Sequence, residues 1–282
     1  MAKTLPEYMY KYTSINKFLF ETLIRGELWF TPPANFNDPF DSSLPIDIAL
    51  EAYKAIEGWE TNPQIINGSK ALRPMKFLKE LEALRSQTGV SCFSAVPDNL
   101  IMWSHYADHH KGIILKFDVA ELQKYFYNIQ YVTYSNQIDP VDYDRPASDI
   151  IDRLLTRKSL HWESEKEIRI IMKKAGSSKF PKTALKEIIF GLRCDWHHLN
   201  DLMHLVQKFG YSSTTFGHYQ SGNYEFTLKK GLVTWSTDFK CYSAYGDKGH
   251  DEMLKTLQNL GFPFDKSSAS YVGQTEGGSV KQ

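Results

Sequence analysis

The chain lacks an excess of charge of either sign: 33 Lys and Arg stand against 33 Asp and Glu in 282 residues. That excludes a generally basic nucleic-acid binder and leaves only a local basic patch open. Cysteine is scarce. Cys92, Cys194 and Cys241 are odd in number and widely spaced, with no CxxC pair, so neither a disulfide framework nor a zinc site is indicated. No apolar run is long enough to span a bilayer, and the opening MAKTLPE carries no apolar signal region. The expectation is a cytoplasmic protein that does not enter a membrane. GxGxxG, P-loop, GxSxG and kinase signatures are all missing, so the common nucleotide and hydrolase scaffolds are unsupported.

Aromatic residues are plentiful, with 16 Tyr, 17 Phe and 6 Trp. They suit a packed core and equally a pocket that stacks a flat ligand. Short strand-like runs recur at residues 8–13, 28–31, 89–94, 112–118, 131–134 and 184–192, with helical patterns between them. Regular βαβ spacing is absent, which predicts an α+β fold with a mixed, mostly antiparallel sheet and flanking helices. Ser14 is placed to cap a first helix with an apolar stripe of Ile15, Phe18, Leu19 and Leu23, ended by Gly26. Asp98 is placed to cap a helix over residues 99–110, and residues 147–161 read as another that carries Lys158 onward. Asp195 caps one over residues 196–209, and a hairpin is expected with residues 221–223 at its tip. Residues 1–230 read as one domain with a helical insert near 46–88, and residues 231–282 as an extension with a frayed tail.

Chemistry concentrates in residues 160–172, LHWESEKEIRIIM. Read as a strand, this stretch puts Glu163, Glu165, Glu167 and Arg169 on one face and Trp162, Ile168, Ile170 and Met172 on the other. Glu167 and Arg169 fall where the charged face meets the apolar end, so the carboxylate there is desolvated or fixed by the arginine. A second concentration is FNDPFD at residues 36–41. Asn37 and Asp38 form a turn or present polar groups at a site, and Phe36 and Phe40 are expected to anchor that turn to a core. His105 and His109 are four apart on the residue 99–110 helix. Without the glutamate of a His-Glu-x-x-His motif they read as packing or hydrogen-bonding histidines rather than metal ligands.

Taken in order, YKY, FNDPFD, CFS, MWSHYA, GIILKFD, WxxExExR and IIFGL resemble a large bacterial family catalogued only as a domain of unknown function, over roughly residues 8–230. A looser resemblance is to ADP-ribosyltransferases, which also open with a strand bearing a polar residue, a capped helix and a short strand. It implies a sheet of that type and NAD as substrate. It places Lys11 or Tyr12 at the first-strand position, Ser94 at the small hydroxyl position, and Trp103 or Tyr106 as the stacking aromatic. Glu167 becomes the late carboxylate, with Glu165 two residues before it. Lys11, Lys158 and Arg169 would hold the pyrophosphate, with Asn37, Asp38 and His105 as further polar contacts. The YKY strand departs from the usual His or Arg, and the aromatics lie on a helix.

Three functions follow as expectations. The first is an NAD-using ADP-ribosyltransferase that modifies a protein or nucleic acid, as a bacterial toxin or anti-phage effector. The second is a metal-dependent hydrolase or nuclease built from Asp38, Asp41, Glu165 and Glu167. The third is a ligand- or partner-binding domain without catalysis.

Overall fold

The computed structural model describes residues 4–43, 73–137, 145–221 and 227–232. Residues 44–72, most of the expected helical insert, and residues 233–282, most of the expected extension, lie outside the described set, as does the expected hairpin tip after Ser221. The fold is α+β, with strands that pair mostly antiparallel and helices beside them. Two compact units share the chain. One holds residues 1–11, 26–99 and 116–184, and the other residues 12–25, 100–115 and 185–282.

In the first unit the strands β1 (Tyr8–Thr13, through Lys11), β3 (Gly89–Ser94), β8 (Glu167–Met172) and β5 (Ile129–Tyr131) lie side by side in that order. Every ladder among them is antiparallel. Two small sheets accompany them. β2 (Glu27–Phe30) pairs antiparallel with β9 (Gly176–Lys179), and β6 (Thr133–Tyr134) pairs parallel with β7 (Arg157–Lys158). The short helix α4 (Val119–Gln123) is capped by the Asp118 side chain. Helices α2 (Arg73–Gln87) and α5 (Ser148–Leu155) meet through Phe77, Leu81, Ala147, Ile150 and Leu154. A second small core of Val90, Leu155 and Ile171 joins α5 to the sheet. On one sheet face Phe93, Phe117 and Phe180 stack edge to face, the geometry that opposes one ring's positive edge to the next ring's negative face.

The second unit contains α1 (Lys17–Arg25), α3 (Leu100–Tyr106), α6 (Trp196–Lys208) and the strand order β12 (Leu228–Leu232), β11 (Thr215–Ser221), β10 (Leu185–Phe190), β4 (Ile113–Asp118, through Leu115). β10 and β11 run parallel, and β11 and β12 antiparallel. Trp103 is fully buried at its centre, edge-on to Tyr12 and Tyr219 and stacked on His110.

Several local expectations are corrected. Asn16, not Ser14, caps α1: its side-chain oxygen accepts from the Phe18 and Leu19 N–H groups at 3.0 and 3.2 Å. The buried stripe of α1 is Leu19, Phe20, Leu23 and Ile24, and Phe18 is exposed. Helix α3 ends at Tyr106 rather than His110, because Asp108, His109 and His110 all adopt left-handed backbone. Their turn returns the His109 and His110 N–H groups to the Ser104 and Trp103 carbonyls. Residues 131–134 divide between two ladders, and the residue 147–161 helix stops at Leu155. β9, a Gly-Ser-Ser-Lys segment of low strand propensity, was not anticipated. Its pairing with β2 outweighs that propensity.

Glycine matters at Gly191 for space and at Gly210 for conformation. A Cβ on Gly191 would meet the His110 carbonyl oxygen at 2.2 Å, whereas Gly210 has φ of +80° and open space around it. Gly191→Ala is therefore expected to cost about 2 kcal/mol or more, and Gly210→Ala about 1 kcal/mol from strain alone. Thermal or urea unfolding of both variants checks the order; equal losses would contradict it.

Candidate functional site

The first unit encloses a buried ion network. Its centre is Arg169, only 1% exposed, on β8. An arginine there needs its five N–H groups satisfied, because guanidinium does not lose its proton. Nε and Nη2 donate to the Glu167 carboxylate at 2.8 and 3.1 Å. Nη1 donates to Asp41 Oδ1 at 2.9 Å and to the Leu155 carbonyl at 2.6 Å, and Nη2 donates to Asp41 Oδ2. The Phe36 ring lies 5.1 Å from the guanidinium carbon.

FNDPFD delivers Asp41 to this centre. Asp38 accepts from the Phe40 N–H at 2.9 Å through its side chain and from the Asp41 N–H at 3.0 Å through its carbonyl, a tight Asx turn that reverses the chain. Ser42, in left-handed backbone, donates its hydroxyl to Asp41 Oδ1 at 3.0 Å. Asp38 is thus a turn former, and Asn37 is exposed. The expectation that both phenylalanines anchor the turn holds for Phe36 alone. Phe40 is 78% exposed.

Lys158 arrives by a different route. After α5 the chain enters β7, whose pairing with β6 turns Lys158 inward. Its ammonium lies 2.6 Å from Glu165 Oε2, 3.0 Å from Glu167 Oε2 and 3.8 Å from Asp41 Oδ2, with the Trp162 ring at 4.9 Å. Three carboxyl groups thus converge on two cations.

Glu165 comes from outside the strand. Residues Leu160–Glu165 form a 3-10 helix begun by Ser159, not the first half of a strand. Lys166 then takes φ 45°, and β8 starts at Glu167. The four-residue charged face of a single strand is corrected accordingly. Glu167 and Arg169 share a face, Glu165 reaches Lys158 from the preceding turn, and Glu163 is exposed beside Lys166. Ser159, a capping residue type directly before Leu160, is the sequence signal for that helix.

Charge within the network is set by its partners. Burial pushes the Glu167 carboxyl upward, but Arg169 and Lys158 outweigh it and hold its pKa at about 2. Burial lowers the Lys158 pKa, and Glu167 and Glu165 raise it by more. Burial and the neighbouring Glu167 charge push up the thiol of Cys92, which lies opposite Arg169 on β3. The Glu167 N–H donates to the Tyr134 hydroxyl at 2.7 Å.

Register puts two candidate positions, Ser94 and Glu167, side by side, with Tyr10, which is not among the candidates, completing the row. Tyr10 lies opposite Ser94, and Ser94 opposite Glu167, across β1, β3 and β8. The Ser94 hydroxyl donates to the Glu165 carbonyl at 2.6 Å and accepts from the Val96 N–H at 3.1 Å, fastening the 3-10 turn to the end of β3. Lys11, one residue on from Tyr10, points to the other sheet face. There its ammonium donates to Ser91 Oγ at 3.1 Å and the Cys92 carbonyl at 3.2 Å above the Phe93 ring, and burial lowers its pKa. It is therefore apart from the Glu167 face. Tyr12, Trp103, His105 and Tyr106 belong to the second unit. Tyr12 and Trp103 are core residues there. His105 is exposed and so is not the packing histidine expected, and Tyr106 is half-buried beside it.

Among the described residues no group of three or more His, Cys, Asp or Glu side chains is arranged to hold a metal ion. Asp41, Glu165 and Glu167 converge on Lys158 and Arg169 instead, while Asp38 is occupied in its turn. No helix among the described residues is long and apolar enough to cross a membrane.

Residues 102–170 match the model of a family described as "Protein of unknown function (DUF2971)". The matched stretch takes in MWSHYA, GIILKFD, Lys158, Glu165, Glu167 and Arg169. No curated protein and no solved structure matches the chain.

Two predictions follow from the network. Arg169→Met leaves Asp41 and Glu167 buried without their cation and is expected to cost about 3–5 kcal/mol, read by urea unfolding. Acid lability follows from Glu167. Its folded pKa of about 2 lies below its ordinary 4.5, so its stabilisation is complete above about pH 5 and is lost as pH falls towards 2. Glu167→Gln should flatten the fall in stability across that window. An unchanged acid profile would show that other groups govern it.

Proposed function

We propose that this chain is an NAD-consuming enzyme of ADP-ribosyltransferase type, with Glu167 as its central carboxylate. The observation that carries the reading is the pair Ser94–Glu167, directly opposite each other on adjacent strands. A small hydroxyl at a strand end and a late-strand glutamate are two of the positions that the ADP-ribosyltransferase resemblance assigns; its first-strand candidates, Lys11 and Tyr12, lie on the other sheet face and in the second unit. Glu165 approaches the same cation as Glu167, as a second carboxylate should.

The chemistry suits these groups. The bond from ribose C1′ to the nicotinamide nitrogen breaks, and its electron pair leaves with nicotinamide. The ribose then carries oxocarbenium character, which a fixed anion stabilises. Glu167, held ionised by Arg169 and Lys158, is such an anion at any physiological pH. An acceptor oxygen or nitrogen, on a protein or nucleic acid, bonds to C1′ and releases its proton to solvent water. Arg169 and Lys158 act here as positioning residues, because their N–H groups are spent on carboxylates.

A second reading is favoured by the saturation of Glu167 by Arg169 and Lys158. On it the network only braces the fold. Nicotinamide release from NAD by the purified full chain separates the two. The transfer reading expects release that falls about 100-fold or more in Glu167→Gln, with the variant still folded by circular dichroism. Folded wild type that neither binds NAD nor releases nicotinamide in the presence of candidate acceptors would overturn it. Release undiminished in Glu167→Gln would leave the carboxylate a brace.

A further inference from the structure

Far along the first unit from the ion network, where β8 ends, large aromatic side chains stand in solvent among lysines. Trp29 is 59% exposed, Tyr125 58% and Tyr127 81%. Lys173, Lys174 and Lys179 are exposed too, and none of the three has an ion-pair partner among the described residues. Exposed rings grouped together mark an interaction surface.

Backbone geometry gathers them. The Ile171 N–H donates to the Asn128 carbonyl, so the antiparallel chain carries Tyr127 out beside the start of the Lys173-Lys174 pair. Ala175, Lys174 and Phe30 all close around Gly89, where an added Cβ would meet Ala175 Cα and Phe30 Cβ at 2.7 Å and the Lys174 carbonyl at 3.0 Å. Phe30 in turn packs its ring 5.5 Å from Phe126, the buried residue between Tyr125 and Tyr127. Trp29 follows on the outward face of β2, directly opposite Ser177, with Lys179 opposite Glu27 on that face. The buried phenylalanines thus hold three exposed rings and three lysines in one strip. Among the described residues the acids nearby are Glu27, opposite Lys179, Asp152, which accepts from the Asn128 side chain at 3.1 Å, and Glu121, tied to Lys124 at 2.7 Å.

We propose that this strip, Trp29–Lys173–Lys174–Tyr127, is a binding surface for single-stranded nucleic acid. Exposed flat rings separated by cations match a strand whose bases are unstacked and whose phosphates alternate with them. A duplex offers phosphates but no free base faces, so rings are wasted on it. The surface lies outside the Glu167 row, and its existence does not depend on the transfer reading.

The test is fluorescence anisotropy of a labelled oligothymidylate with the full chain. Binding is expected to weaken about twentyfold between about 50 and about 200 mM salt if three lysines contact phosphate. Trp29→Ala and Tyr127→Ala are each expected to weaken it about tenfold. The Lys173→Gln, Lys174→Gln pair should also flatten the salt dependence, and these surface changes should leave the thermal midpoint unaltered. Absence of binding at low salt, binding indifferent to these substitutions, or preference for the matching duplex or for phosphatidylserine vesicles would each overturn the proposal.

Discussion

Arg169 is the constraint on which the first unit is arranged. A guanidinium buried this deeply is tolerable only when every N–H finds an acceptor, and the acceptors come from three separate stretches of chain. Asp41 is brought by the FNDPFD turn, Glu167 by the same strand, and the Leu155 carbonyl by the end of α5. Each stretch is irregular where it reaches the arginine, and the irregularity is what lets it reach. Left-handed Ser42 follows Asp41, and left-handed Lys166 stands between Glu165 and Glu167.

The second cation turns a pair into a network. Lys158 takes the outer oxygens of Glu165 and Glu167 and so holds the 3-10 turn against the strand that follows it. Ser94 makes the same connection through backbone, by way of the Glu165 carbonyl. The consequence is a carboxylate that is deeply buried yet ionised, in one fixed orientation. Such a group is costly to build, and it is useful to chemistry that needs a stationary negative charge.

Much of this was legible in the sequence, and the misses have physical causes. Strand positions, the α+β class and the meeting of Lys158 with the acidic segment follow from periodicity and local charge. Glu165 does meet Glu167 at Lys158, but strand alternation does not align them: a 3-10 turn and one left-handed residue do. Asp41 was given too small a part. A lone arginine in an apolar strand demands a carboxylate partner, but no local pattern says which distant acid supplies it. Phe40 misled because hydrophobicity alone cannot tell an anchor from an exposed ring on a turn. The separation of Lys11 from Glu167 depended on which residue of β1 sits opposite Ser94, and register is set by the whole sheet.

The pairing of Asp41 with Arg169 spans 128 residues. On a ribosome adding about 5–20 residues per second, the acid emerges roughly 6 to 26 s before the arginine that will neutralise it. Through that interval the turn bearing Asp41 waits, well clear of the growing carboxyl end, without its arginine partner. The central strand β8 is therefore the latch of the first unit: its synthesis closes the sheet between β3 and β5 and recruits the waiting loop together. A nascent chain halted before residue 169 would present an uncovered sheet edge and an unlocked acidic turn, both of which chaperones and proteases recognise as unfinished.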